Sequence, residues 1–215
     1  MLYSKVNTWA FVHVPKNAGT SVEAPFLRYS NPDFESERSH YQVDAFEVKP
    51  QAHHNKWNYW SERPEVKGLT PVALLRNPWD RALSIYTYNL KNASKNLDQD
   101  WGQIDHGILT KQGFKESWMD GGFFVDGHGR QFEYNEKTCR AWGQDDDQYS
   151  WLEGEGKWFR IEDQWDDFCS FTKLPKPKKI NTTKRGDYRN YYDDELAERI
   201  ATLFARDVEL GGYTF

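Results

Sequence analysis

Apolar positions along this chain fall into short continuous runs separated by helical stripes. Thr8–Val14 (TWAFVHV) is mostly β-branched or aromatic and predicts a central parallel strand buried on both faces. Thr70–Leu75 (TPVALL) and Lys157–Glu162 (KWFRIE) predict two further strands. Helical spacing follows each run. Val22, Phe26 and Tyr29 mark a first helix that Pro25 would kink or shorten. Trp57, Tyr59 and Trp60 suggest a short one. Asp80 reads as the N-cap of a helix through Leu90, with Leu83, Tyr86 and Leu90 on a face that would pack on the sheet and Arg81, Ser84 and Tyr88 on another. A helix from Asp163 turns Trp165, Phe168 and Phe171 inward. The clearest helix is Asp193–Val208, with Leu196, Ile200, Leu203 and Phe204 on one stripe, Asp193 as its cap and Gly211 and Gly212 as its stop. Strands alternating with helices predict an α/β fold with a mainly parallel sheet. Ser30–Pro50 and Lys91–Ser150 show no clear period and read as connections, the latter broken by glycines and an acidic turn at Asp145, Asp146 and Asp147.

Composition narrows the class. A length of 215 residues predicts a single domain, 1–215. Aromatic residues reach 16%, with ten tryptophans, so part of the apolar material is large rings suited to lining a cleft. A formal net charge of −5 argues against general nucleic-acid binding, which needs a basic face. Cys139 and Cys169 are far apart and lack CxxC spacing, which points away from a disulfide framework or zinc site and toward a reducing cytoplasm. With no run of about 18 apolar residues, neither a signal peptide nor a membrane span is expected.

Candidate chemistry concentrates where the first strand meets the first helix. A strand entering a helix through a glycine-containing turn aims unpaired backbone amides at one point, where an anion is stabilised. Lys16 adds a full charge there, ahead of Gly19, Thr20 and Ser21. In the common nucleotide-triphosphate loop the lysine follows the last glycine, so this is not that loop, and an ordinary strand-to-helix turn with Thr20 or Ser21 as N-cap is the alternative to an anion site. His13 reads as a satisfied core residue. The adjacent His53 and His54 have no partner at metal-ligand spacing, and a single catalytic histidine is the alternative to an exposed pair. Arg76 stands at the end of the second strand and Ser84 on the helix after it, a reasonable phosphate clamp.

Taken together these segments resemble the sulfotransferases that use 3′-phosphoadenosine 5′-phosphosulfate (PAPS), the carbohydrate-modifying branch above all. PKNAGTS (Pro15–Ser21) is similar to their 5′-phosphosulfate loop, and RNPWDRALSIY (Arg76–Tyr86) fills every fixed position of their RxPxxRxxSxY segment. FRIED, NTTKR (Asn181–Arg185) and the closing GYTF are looser likenesses. The resemblance implies a three-layer P-loop-like fold, PAPS as donor and 3′,5′-adenosine bisphosphate as product. It implies binding by Lys16, Asn17, Ala18, Gly19, Thr20 and Ser21 at the 5′ end. Arg76 and Ser84, with Lys184 or Arg185, would meet the 3′-phosphate. His53 or His54 would be the base, Glu23 a weaker candidate, and no metal is called for. The acceptor would be a hydroxyl, or an amine, on a carbohydrate or small metabolite; the sequence assigns no oligomeric state. Rival readings are a P-loop-like small-molecule kinase and a non-catalytic module that binds adenine nucleotides or glycans.

Overall fold

The computed structural model describes residues 2–27, 55–95, 109–119, 123–125, 131–133, 146–178 and 185–215. In chain order its elements are β1 (Leu2–Ser4), β2 (Trp9–Phe11), α1 (Gly19–Leu27), α2 (Trp57–Ser61), β3 (Thr70–Leu75), α3 (Pro78–Lys95) and α4 (Lys111–Met119). These are followed by β4 (Phe123–Val125), β5 (Gln131–Glu133), β6 (Lys157–Arg160), α5 (Trp165–Thr172), α6 (Asp194–Leu203) and α7 (Ala205–Gly211), with 3₁₀ turns at Tyr149–Trp151 and Tyr188–Tyr191. They gather into two compact units, Met1–Arg76 with Gln148–Thr182, and Asn77–Asp147 with Thr183–Phe215.

The first unit is α/β. Its four-stranded sheet has the order β1-β2-β3-β6. β2 pairs with β3 and β3 with β6 in parallel, while β1 runs antiparallel to β2, so the sheet is mixed. The antiparallel edge strand carries no periodicity of its own at that length and was not expected. It reverses through a turn in which Thr8 is left-handed (φ 57°) and Asn7 donates both its backbone and side-chain N–H to Ser4 Oγ. Strand ladder covers only Trp9–Phe11 of the expected Thr8–Val14. Val12 still donates to Val72 O at 2.8 Å, and the chain then leaves the sheet toward the loop.

Side chains alternate across this sheet with the strand period of two. Tyr3, Ala10, Val12 and Ala73 meet Trp57 and Trp60 of α2, with Trp151, on one face. Leu2, Trp9, Phe11, Val72 and Leu74 meet Val22 of α1 and Phe168 of α5 on the other. With both faces of β2 and β3 covered, these two strands are apolar almost throughout and read as continuous runs.

The second unit is mostly helical. Leu83, Tyr86 and Leu90 of α3 pack with Phe114 and Trp118 of α4 and with Leu196, Ile200 and Phe204, so the face expected to meet a sheet is filled by helices. Asp80 is not the N-cap of α3. Asn77 is, its Oδ1 accepting from the amides of Trp79 and Asp80 at 3.1 Å each. Pro78 takes the first helical position, where its fixed φ and missing N–H cost nothing. The glycine-rich stretch also holds α4 and the antiparallel pair β4–β5, which no period announced. The long C-terminal helix breaks into α6 and α7 at Phe204 (φ −113°, ψ 36°). Phe204 is thereby buried, while Leu203, expected on the buried stripe, is 41% exposed. Asp193 caps α6 as expected, accepting from Leu196 N at 2.9 Å. Among the described residues no helix is long and apolar enough to cross a membrane.

Candidate functional site

The segment from β2 to α1 lies wholly in the first unit and follows the strand–turn–helix path. Lys16 (φ 67°) and Ala18 (φ 61°) are both left-handed, one on each side of Asn17. For residues with a Cβ this costs about 1–2 kcal/mol each, and no glycine relieves it at those positions. Alternating backbone hands turn successive N–H groups toward one side, forming a concave nest that accepts an anion. Strain of this kind persists only where the surroundings enforce it, and it concentrates at ligand clamps.

The amide bookkeeping agrees with that geometry. Asn17 N donates to Val14 O, and Ser21 N to Ala18 O at 2.8 Å. The amides of Ala18, Gly19 and Thr20 find no acceptor among the described residues. They supply the donors an anion would use, whereas the Ser21 amide, expected among them, is already committed within the helix start. Thr20 is exposed and Lys16 half-buried, so both can reach a ligand. Asn17, expected to contact the ligand, faces inward instead. It is 1% exposed and its Nδ2 donates to Leu74 O at 2.6 Å and to Gln148 Oε1.

Arg76 comes to the same place. It follows β3, at the carboxyl end of the parallel strands where open α/β sheets bind ligands. Its Nη1 donates to Lys16 O at 2.8 Å. Two segments sixty residues apart in sequence thus set a lysine and an arginine on one loop. No family model matches the chain, and no curated protein or solved structure does either.

Beneath the loop lies a buried pair that periodicity could not show. His13 Nδ1 and Glu23 Oε2 are 2.6 Å apart, with side chains 7% and 1% exposed. Glu23, the weaker candidate for the base, is therefore turned into the interior and bound to His13. Gly19 closes the packing: a Cβ there would lie under 3.0 Å from the His13 ring. The glycine is needed for close approach of the ring, not for its φ.

Ser84 and Arg185 belong to the second unit. Ser84 is 9% exposed on α3 and its carbonyl accepts from Thr87 Oγ1. Arg185 is ion-paired with Asp80 through Nη2, on the first turn of α3. Thus the side chain expected at a phosphate is held by a carboxylate. His53, His54 and Lys184 lie outside the described residues. Among the described residues no group of three or more His, Cys, Asp or Glu side chains could hold a metal ion.

The residue that the sequence did not offer is Gln148. It is fully buried and bonds Arg76 N and Arg76 O, both at 2.8 Å, as well as Asn17. A lone glutamine after an acidic run carries no motif. Only the acceptor demand at the end of β3 distinguishes it.

Proposed function

We propose that this chain is a PAPS-dependent sulfotransferase of P-loop-like fold, acting on a hydroxyl or amine of a carbohydrate or small metabolite. The single observation that carries this reading is the Lys16–Thr20 nest with Arg76 bonded to it. The donor supplies a sulfuryl group whose bond to a phosphate oxygen breaks as a bond to the acceptor forms, leaving negative charge on that phosphate. Three amides with no acceptor among the described residues, the Thr20 hydroxyl and Lys16 are donors suited to that charge, and they are fixed before it develops. A unit charge about 4 Å from a phosphate oxygen contributes about 1 kcal/mol in water and about 4 kcal/mol at an effective dielectric of about 20. Lys16, half-buried, falls between these limits. Arg76 is suited to a second phosphate because guanidinium pairs with it bidentately. The acceptor proton passes to His53 or His54 in this reading.

The test is transfer of radiolabelled sulfate from PAPS to a panel of glycans, phenols and amino alcohols. Lys16→Ala is expected to reduce turnover about 10²- to 10³-fold, the usual cost of removing one preorganised donor, with the fold retained by circular dichroism. Arg76→Ala is expected to weaken the calorimetric affinity for 3′,5′-adenosine bisphosphate. Wild-type rates in the Lys16 variant, or a wild-type protein that does not bind the bisphosphate, would overturn the reading.

A further inference from the structure

We propose that Gln148 is the positioning residue that holds Lys16 and Arg76 in register for an anionic ligand, an inference that rests on the reading of the loop given above. β3 ends at Leu75, whose carbonyl still accepts from Ile161 N at 2.9 Å. At Arg76 there is no further ladder, and the Gln148 amide takes its place: Oε1 accepts from Arg76 N and Nε2 donates to Arg76 O, both at 2.8 Å. A side-chain amide pairing with both polar groups of one residue reproduces what a neighbouring strand would offer, so it keeps Arg76 extended at the sheet end.

The same Oε1 accepts from Asn17 Nδ2. Asn17 is the residue between the two left-handed positions, and its Oδ1 meets no donor among the described residues, so Nδ2 alone holds the side chain. Arg76 Nη1 then donates back to Lys16 O, which closes a ring from Gln148 through Asn17 and Lys16 to Arg76. Every link is buried or half-buried, where a hydrogen bond is stronger and its loss costlier than in water. Gln148 therefore acts on any ligand only through the two cationic residues, by fixing the backbone that carries them.

Gln148→Met keeps the side chain's length and removes both polar functions. Thr172→Val is the control: it deletes a buried hydroxyl of the same unit, one that donates to Phe168 O at 2.7 Å and accepts from Leu174 N at 3.3 Å, away from the Gln148 bonds. Calorimetric titration with 3′,5′-adenosine bisphosphate should show Gln148→Met weakened by about tenfold or more and Thr172→Val within about twofold of wild type. Amide resonances of Lys16–Ser21 in the ligand-free protein should shift in Gln148→Met and stay in place in Thr172→Val. If Gln148→Met is too unstable to purify, Asn17→Ala removes the same link from the loop side and takes the same two measurements. Wild-type affinity in the variant overturns the inference while leaving the reading of the loop intact. Loop resonances unmoved by the substitution also overturn it. If the wild type does not bind the bisphosphate and yet the loop resonances move, the nucleotide reading fails while the hold of Gln148 on the loop is supported.

Discussion

Gly19 shows how tightly the residues under the loop constrain one another. A methyl group there would enter the space of a ring that Glu23 holds from its other side, so the ring has little room to yield. Gly19→Ala is expected to destabilise by about 1–3 kcal/mol, the usual range for overpacking, and to weaken bisphosphate binding. Adding His13→Ala should recover part of the lost stability, because the clash is with that ring. A Gly19→Ala protein with wild-type melting and affinity would show that the ring moves aside. At this scale the sequence was informative where a residue's chemistry is local. Lys16, next to the helix start, announced a charge at the strand-to-helix turn by position alone. The partners of His13, Asn17 and Arg76 did not announce themselves, because those bonds join residues 10 to 131 positions apart.

Elements obeyed their periodicity in the middle and departed from it at the ends. α3 begins at Pro78 under an Asn77 cap because the asparagine, not Asp80, has its oxygen over the first free amides. Asp80 is released to pair with Arg185. The cap of α6 carries a pH prediction. Its carboxylate is held below the ordinary aspartate range, first by the Lys115 ammonium and then by the Leu196 amide. A depressed folded-state pKa means that the stabilisation is present above the unfolded value and is lost as pH falls through the folded one. Asparagine caps nearly as well as aspartate, so Asp193→Asn isolates the charge. Its unfolding midpoint should lie slightly below that of wild type at neutral pH, and the gap should begin to close near about pH 4 and vanish further down. A gap independent of pH would show that Lys115 contributes nothing through Asp193. The pair is exposed, so the effect is small and should shrink further in salt.

For the molecule as a whole, the proposed chemistry draws its positive potential from the chain itself. The net charge is −5, yet Lys16, Arg76 and the helix-start amides put local positive potential at one loop. Sulfate transfer is therefore expected to continue unchanged after dialysis against a chelator, whereas a kinase on a similar sheet would need Mg²⁺. Activity that disappears with chelation and returns with Mg²⁺ would favour the kinase.

By itself the sequence determined that β2 and β3 are sheet-forming and α5 and α6 helical, because they bury residues at spacings that the chain displays directly. It also marked the loop, since a lysine ahead of a glycine and two hydroxyl residues is a local pattern. Tertiary structure alone decided the antiparallel edge β1, the break at Phe204, the inward turn of Asn17 and the bond between Arg76 and the Lys16 carbonyl. Each of these answers a demand that exists only after folding: a strand edge to be paired, a ring to be buried, or a polar group cut off from water.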